Sequence, residues 1–525
     1  MRFAGENPGR RLAVAAGLGA GATLALAGSA EAAQFTVNNL NNAGAGSLRQ
    51  AMTDLNSSGA PGTITFASGL AGTINVTSPG LPTVDEPATI QGPGSNVLAI
   101  DGGGQQTLAN PGRVVLTFSN SSSPTSVSGL TVENAVGLEG GITSGGDLTV
   151  NDVTVKGCLG LLSGGIGAGT AHVRSSTISG NVGERGGGIY AGSGEVTGST
   201  INGNLASNFY SGTIAPSGGG IAFASPPTGA LRIERSTIAN NTVTNLNPSS
   251  SSNPKDATGG GIQAAVPGLT LNGATVSGNR VTTTDPAAPR RGGGLFSAGA
   301  APPPAVTDSI ISGNGATSGP DIYGPVNAGF DLIGSSSGAT ITATVPNSNL
   351  TGADPQLGPL AANGGPTQTM AIAPGSPALD AGISAGLTSD QRGLARPLDF
   401  LQFPNSSAAG ADGSDIGAFE LQPAAGPIKF KTLKRKRKNG TAKQSVQLPT
   451  PDLGQVKITG KGLKTKKILA STLNGLVKLP LNPKGSLRRK LQRAGKAKVK
   501  ATVTYTPQGG TAVKASKKIK LLRKS

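Results

Sequence analysis

The 525-residue chain has no tryptophan, a single cysteine, a single histidine, and only 3% aromatic residues. A core of large side chains gathered around one centre cannot be built from that inventory. A stacked array can, because each layer buries small and β-branched residues against its neighbours. With Cys158 alone, no intrachain disulfide can form, and a free cysteine of this kind ordinarily behaves as a small buried hydrophobe. Acidic residues are almost absent from one region. Residues 427–525 hold 28 Lys and Arg against one acid, Asp452; this balance of +27 in a chain of net charge +18 leaves −9 for the rest. Two physically different regions are implied, and the length allows two or three domains.

Long apolar runs are also missing beyond the first residues. Arg2, Arg10 and Arg11 flank an apolar stretch, Leu12 to Ala27, that is short for a bilayer crossing. Ala30-Glu31-Ala32 fits a small-x-small cleavage pattern. Residues 1–33 are therefore expected to be a signal peptide, the alternative being a retained anchor. The mature chain is expected to be secreted or associated with the cell surface, without a transmembrane segment. Residues around Arg10-Arg11 fit twin-arginine export poorly, so the export route stays open.

Glycine, with 83 residues, is what the chain has in excess. Gly-Gly-Gly-Ile recurs at Gly186–Ile189, Gly218–Ile221 and Gly259–Ile262, with Gly292–Leu295 as a variant. Between these lie Ser-Thr-Ile-x-Gly-Asn copies ending at Asn181, Asn204, Asn241, Asn279 and Asn314, and the shortest period is 23 residues. A period of that size denotes a solenoid or similar array. Glycine and β-branched content exclude helical repeats. In register, Ser176, Ser199, Ser236 and Ser309 form one column, and Ile178, Ile201, Ile238 and Ile311 another. Strand alternation places both inward and the Thr between them outward. The Asn column is expected to stack as a side-chain amide ladder at a turn, with Cys158 occupying the same column one repeat earlier. Between each Asn and the next glycine triplet lie 4, 13, 17 and 12 residues in successive repeats, expected to be loops on one face.

Upstream, short strands are expected at Thr63–Phe66, Thr73–Val76, Ala88–Gln91, Val97–Asp101, Val114–Phe118 and Gly129–Val132. Ser47-Leu48-Arg49-Gln50 is a capping-box pattern, and Leu48, Ala51, Met52 and Leu55 share a helical face. A helix near 47–57 would cover the open first layer.

Ser47-Leu48-Arg49-Gln50-Ala51 and Pro61-Gly62-Thr63-Ile64-Thr65-Phe66 resemble the opening segment of secreted bacterial β-helix proteins, pectate-lyase-like and polymorphic outer-membrane-protein-like. Asp354–Leu360, Asn363–Thr367, Gly375–Gly382, Asp390–Gly393 and Asp415–Glu420 together resemble the closing module of choice-of-anchor β-helix proteins. The resemblance spans residues 35–422. It implies an all-β fold: a right-handed parallel β-helix over 34–350, closed by 351–423. It implies no particular reaction. In the closing module Asp380, Asp390, Arg392, Asp415 and Glu420 could bind a cation or brace irregular loops, and bracing is the expected role. No cofactor or metal is expected, although acidic loops leave Ca²⁺ open.

The basic region, 427–525, alternates in short runs: Lys429–Leu433, Ser445–Leu448, Gln455–Thr459, Leu476–Leu481, Lys496–Tyr505 and Val513–Leu521. A helical turn or two is expected at Gly485–Arg493. Such a pattern suits a small immunoglobulin-like β-sandwich. Its charge suits polyanions, with acidic polysaccharide or a cell-wall polymer as the expected partner and Lys434, Arg435, Lys436, Arg437 and Lys438 as the densest contact run. Phe430 and Tyr505 are its only aromatics, too few to stack bases, so sequence-specific nucleic-acid binding is not expected. The alternative is a charged face that serves solubility alone. A monomer is expected.

Catalysis by a related polysaccharide lyase or glycoside hydrolase is the competing reading. Paired carboxylates about 5 to 9.5 Å apart would be required of a hydrolase. No Asp-Asp pair, Gly-His-Gly or Arg-Ile-Lys motif occurs. One outward column remains: His172, Glu195 and Arg232 on successive repeats, with Arg174 and Glu234 two residues further along. His172, Glu195 and Glu234 are the candidate acid and base groups. Opposite charges stacked across exposed strands also stabilise pairing, and a flat ladder of salt bridges is the expected arrangement. The sequence thus favours a non-catalytic, adhesin-like binder of glycans or other polyanions over an enzyme.

Overall fold

The computed structural model describes residues 32–77, 79–104, 115–119, 123–137, 140–209, 214–223, 229–246, 256–264, 267–284, 288–400, 403–422, 426–449, 454–470, 475–507 and 512–524. The expected signal peptide lies outside them except for its last two residues. The described chain is mostly β-strand, and a 25-stranded sheet with parallel pairing dominates it. This is compatible with a β-helix-like fold.

The repeat spacing becomes strand register. His172 pairs with Glu195, and Glu195 with Arg232; Ile178 pairs with Ile201, then Ile238, then Val276, then Ile311. Isoleucines and valines of these columns are fully buried, so each repeat contributes one thin apolar layer to a common core. The glycine triplet is dictated by close backbone approach. Gly186 turns the chain at φ +66°, where a side chain is strained. A Cβ on Gly188 would lie 2.6 Å from the Gly220 carbonyl oxygen and 3.0 Å from Asn204 Nδ2.

That last neighbour belongs to the asparagine ladder. Asn181 donates its backbone N–H (3.0 Å) and its Nδ2 (2.9 Å) to Oδ1 of Asn204, and Nδ2 also reaches the Val155 carbonyl at 3.0 Å. Asn204 repeats this on Asn241, Asn241 on Asn279, and Asn279 on Asn314. Cys158 N–H starts the series on Asn181, and Asn314 ends it on Asp321 Oδ1. From Asn181 to Asn279, each buried amide of the column is thereby satisfied by the next copy.

A second ladder runs through the serines. Val153 N–H donates to Ser176 Oγ, Ser176 to Ser199, Ser199 to Ser236, Ala274 to Ser309, and Ser309 to Asp331 Oδ1 at 2.8 Å. The residues after each Asn are only partly loop. Val182–Gly183, Leu205–Ser207, Thr242–Asn245 and Arg280–Thr283 belong to a separate six-stranded sheet of parallel pairs. Ala206, Val243, Ala257 and Val281 form its small core. Two to four residues per strand are too few for periodicity to register, and that is why loops were expected there.

The N-terminal helix is Leu48–Ser58, with Leu48, Ala51, Met52 and Leu55 buried against strands Ala33–Val37 and Gly62–Phe66. Ser47 caps it by accepting from Gln50 N–H at 3.2 Å; the reciprocal half of the capping box is absent because Gln50 Nε2 turns to Asp54 instead.

Residues 351–422 hold one antiparallel pair, Leu357–Ala361 with Thr369–Ile372, followed by irregular chain. This segment folds back along the outer side of the parallel strands. Gln391 Nε2 donates to Thr200 Oγ1 and Thr367 Oγ1, Gln391 Oε1 accepts from Thr237, and Ala418 N–H donates to Thr275 Oγ1. The Thr column expected to face outward does so, yet Thr200, Thr237 and Thr275 are buried because this segment covers them.

The basic region forms two antiparallel sheets around one core. Three strands, Lys429–Lys436, Thr441–Gln447 and Leu476–Leu481, make one sheet. Lys466–Ala470, Gly454–Thr459, Lys496–Pro507 and Val513–Leu522 make the other. The strand at Lys466–Ala470 was not expected. The helix Gly485–Ala494 buries Leu487 and Leu491 in the shared core.

Candidate functional site

Three groups of charged residues carry the functional question. The first is the outward column at His172. Its register is the expected one, but its carboxylates are engaged. Arg174 Nε donates to Glu195 Oε1 at 2.6 Å, and its Nη2 also reaches that oxygen. Arg232 Nε donates to Glu234 Oε1 at 2.7 Å, with Nη2 beside it. His172 Nδ1 stands 3.8 Å from Glu195 Oε1, too far for a hydrogen bond, and is covered without a partner. Arg174 and Arg232 side chains are 47% and 61% exposed, so water reaches this face. Each carboxylate answers to a guanidinium rather than to the imidazole. The loops that could wall this face, 205–217 and 242–258, are described only in part.

The second group is the carboxylate cluster of the folded-back segment. Asp390 accepts from Arg392 Nε and Nη2 at 2.8 and 2.6 Å, from backbone N–H of Arg392 and Leu394, and from Glu420 N–H. Asp415 accepts from the N–H of Asp380 and Leu421, and Glu420 from those of Leu398 and Asp415. Arg396, with a fully buried side chain, ion-pairs with Asp308 and lies 3.4 Å from Glu420 Oε2; it donates to the carbonyls of Gly417, at 2.7 Å, and Asp415. These acids satisfy irregular backbone that no sheet pairs. Burial pushes Asp380 up to about 8, Asp415 to about 7 and Glu420 to about 8. Among the described residues no cluster of His, Cys, Asp and Glu could hold a metal ion. Cys158 is buried, and its thiol is pushed up to about 12 by that burial, which makes it a poor nucleophile.

Asp308 and Arg396 were not singled out from sequence, although they anchor the folded-back segment. One signal was present: Asp308 brings an acid to a turn position where the four preceding repeats carry Ser175, Gly198, Arg235 and Gly273, and only Asp152, one repeat earlier still, is acidic.

The third group is the basic region. Lys434, Arg435, Lys436, Arg437 and Lys438 are all exposed at the end of strand Lys429–Lys436 and the turn after it. Arg435 Nε donates to the Lys520 carbonyl at 2.8 Å. Among the described residues, no Lys or Arg of this region forms a salt bridge.

No family model matches the chain, and neither the curated proteins nor the solved structures contain a match. No helix among the described residues is long and apolar enough to cross a membrane.

Proposed function

We propose that this is an exported, surface-associated binding protein for acidic polysaccharide or a similar cell-wall polymer, and that it does not cleave what it binds. Residues 34–350 are read as a right-handed parallel β-helix closed by 351–423, and 427–525 as an immunoglobulin-like module that makes the contact. One observation carries the reading: a folded region with 28 cations and one acid, in which no described cation is paired. Charge of one sign at that density opposes its own compaction and attracts polyanions. Against catalysis stands the engagement of Glu195 by Arg174 and of Glu234 by Arg232.

A chain ending at Pro423 should bind anionic wall preparations far less than the full chain. Binding by the full chain should weaken with salt, as the Debye length falls from about 10 Å at 0.1 M towards 3 Å at 1 M. Equal binding by both chains would move the contact to the parallel strands. Release of reducing ends or unsaturated products from an acidic polysaccharide panel, abolished by Glu195→Gln, would replace binding with catalysis.

A further inference from the structure

The densest basic run in the sequence is not the place where the fold gathers its cations. The outward residues of strand Lys496–Pro507 begin Lys496, Lys498, Lys500, Thr502, and those of strand Val513–Leu522 include Lys514, Lys518 and Lys520. Register sets Lys498 opposite Lys520 and Lys500 opposite Lys518. Like charges directly opposite destabilise a strand pair, and a bound anion would relieve them. Of strand Lys496–Pro507, only Thr502–Pro507 pairs with Gly454–Thr459, so Lys496–Ala501 has a strand partner on one side alone. Helix Gly485–Ala494 and the turn at Gly460-Lys461 border that open edge, and a groove of about 520 Å³ lies between them.

Four lysines, Lys461, Lys490, Lys498 and Lys500, line this groove together with Ser486 and Thr502. No acid and no aromatic residue is among its lining. The helix that borders it has no acid in its first turn and no side-chain cap at Lys484, so its positive end is uncompensated. Concavity focuses the field of these charges. Lysines that only guard an open strand edge against aggregation need no helix and turn converging on the same hollow.

We propose that this groove is the seat of the polyanion, and that its ligand is a linear acidic glycan read by the spacing of its charges. The inference rests on the polyanion-binding reading and locates it away from Lys434–Lys438. Lysine ammoniums act as point charges without the planar fork of arginine, and the groove offers nothing for a base to stack on. A regularly charged glycan suits both facts better than a nucleic acid.

The test uses the full chain and two variants that each lose three charges. One carries Lys461→Gln, Lys490→Gln and Lys498→Gln; the other carries Lys434→Gln, Lys436→Gln and Lys438→Gln. Binding to labelled oligogalacturonate, a heparin-type sulfated oligosaccharide and a 20-nucleotide DNA is measured by anisotropy across a salt series. The groove variant should bind both glycans at least about tenfold more weakly, with a slope of log K against log salt lower by about three. Loss in the run variant should be smaller than about threefold. Unchanged binding by the groove variant, or equal loss in both variants, overturns the groove while leaving polyanion binding in place. Absence of binding by the unaltered chain overturns both. Tighter binding of DNA than of either glycan overturns the ligand class. Should the groove variant unfold, Lys490→Gln alone and the triple Lys→Arg variant decide: the first should weaken binding and the second should keep it.

Discussion

Arg396 and Lys498 are both cations beside β-strands, but the chain treats them in opposite ways. Arg396 is fully buried, with Asp308 and Glu420 around it and two carbonyls accepting its protons. Lys498 is exposed, faces Lys520 across a strand pair and forms no ion pair among the described residues. In the folded-back segment, charge replaces regular secondary structure: acids collect the N–H groups that irregular chain cannot pair. In the basic region the backbone is paired by two sheets, and charge is left over for an outside partner. Such a contrast separates charge that holds a fold from charge that awaits a ligand.

The sharpest break in this comparison concerns the buried polar groups of the parallel strands. Asn241→Ala should leave Asn204 N–H and Nδ2 without their acceptor and the Ile201 carbonyl without its donor. At roughly 1 to 3 kcal/mol for each of these three buried groups, a loss of at least about 3 kcal/mol is expected in urea unfolding. A loss below 1 kcal/mol would mean the ladder follows the strands rather than holding them.

Arg396→Met should cost about 3 to 5 kcal/mol, because it strands Asp308 and Glu420 in the interior. Lys498→Met on the open sheet should stay within about 0.5 kcal/mol, or stabilise slightly by relieving Lys520. Similar costs at the two positions would erase the distinction between a structural cation and a free one.

Asp331 supplies a pH test on the buried side. It is fully buried and accepts from Ser309 and Gly329 N–H, both at 2.8 Å, without a cation among the described residues. Desolvation pushes its carboxyl from 3.8 up to about 8, with the two backbone bonds opposing the rise. The folded state therefore holds a proton that the unfolded chain releases above its ordinary pKa. Its contribution is complete below about pH 4 and is lost as pH rises towards 8, by up to about 1.4 kcal/mol per pH unit. Asp331→Asn should flatten this slope. Thermal midpoints at pH 5 and 8 that differ equally in variant and parent would exclude Asp331 as the source.

The smallest effects belong to the exposed column. His172→Ala and Glu195→Gln should each change stability by roughly 0.2 to 1 kcal/mol. A larger loss on His172→Ala would show that the covered Nδ1 has a role the open face does not suggest.

Much of the parallel region was legible because its information is local. An Asn one period after another Asn can only meet it when strands stack in parallel, so the 23-residue spacing already contains the bond from Asn181 to Asn204. The buried helix face at Leu48, Ala51, Met52 and Leu55 was legible for the same reason, a period within a few residues. The serine ladder was half legible: its column could be aligned, but a hydroxyl accepting a neighbour's N–H leaves no mark in composition. The six-stranded sheet escaped because Val182–Gly183 and its copies are too short to show alternation.

By itself, then, the sequence determined the repeat register, the inward and outward columns, the division of charge at residue 427 and the thin apolar layers that so few aromatics require. Tertiary structure alone decided where residues 351–422 lie, since Gln391 meets Thr200 across 191 residues and nothing local announces such a contact. It also decided which lysines converge. Lys434–Lys438 are adjacent in sequence, but strand alternation and a turn disperse adjacent side chains. Lys461, Lys490, Lys498 and Lys500 come from three elements, and they share one groove because a helix docks beside a half-open sheet.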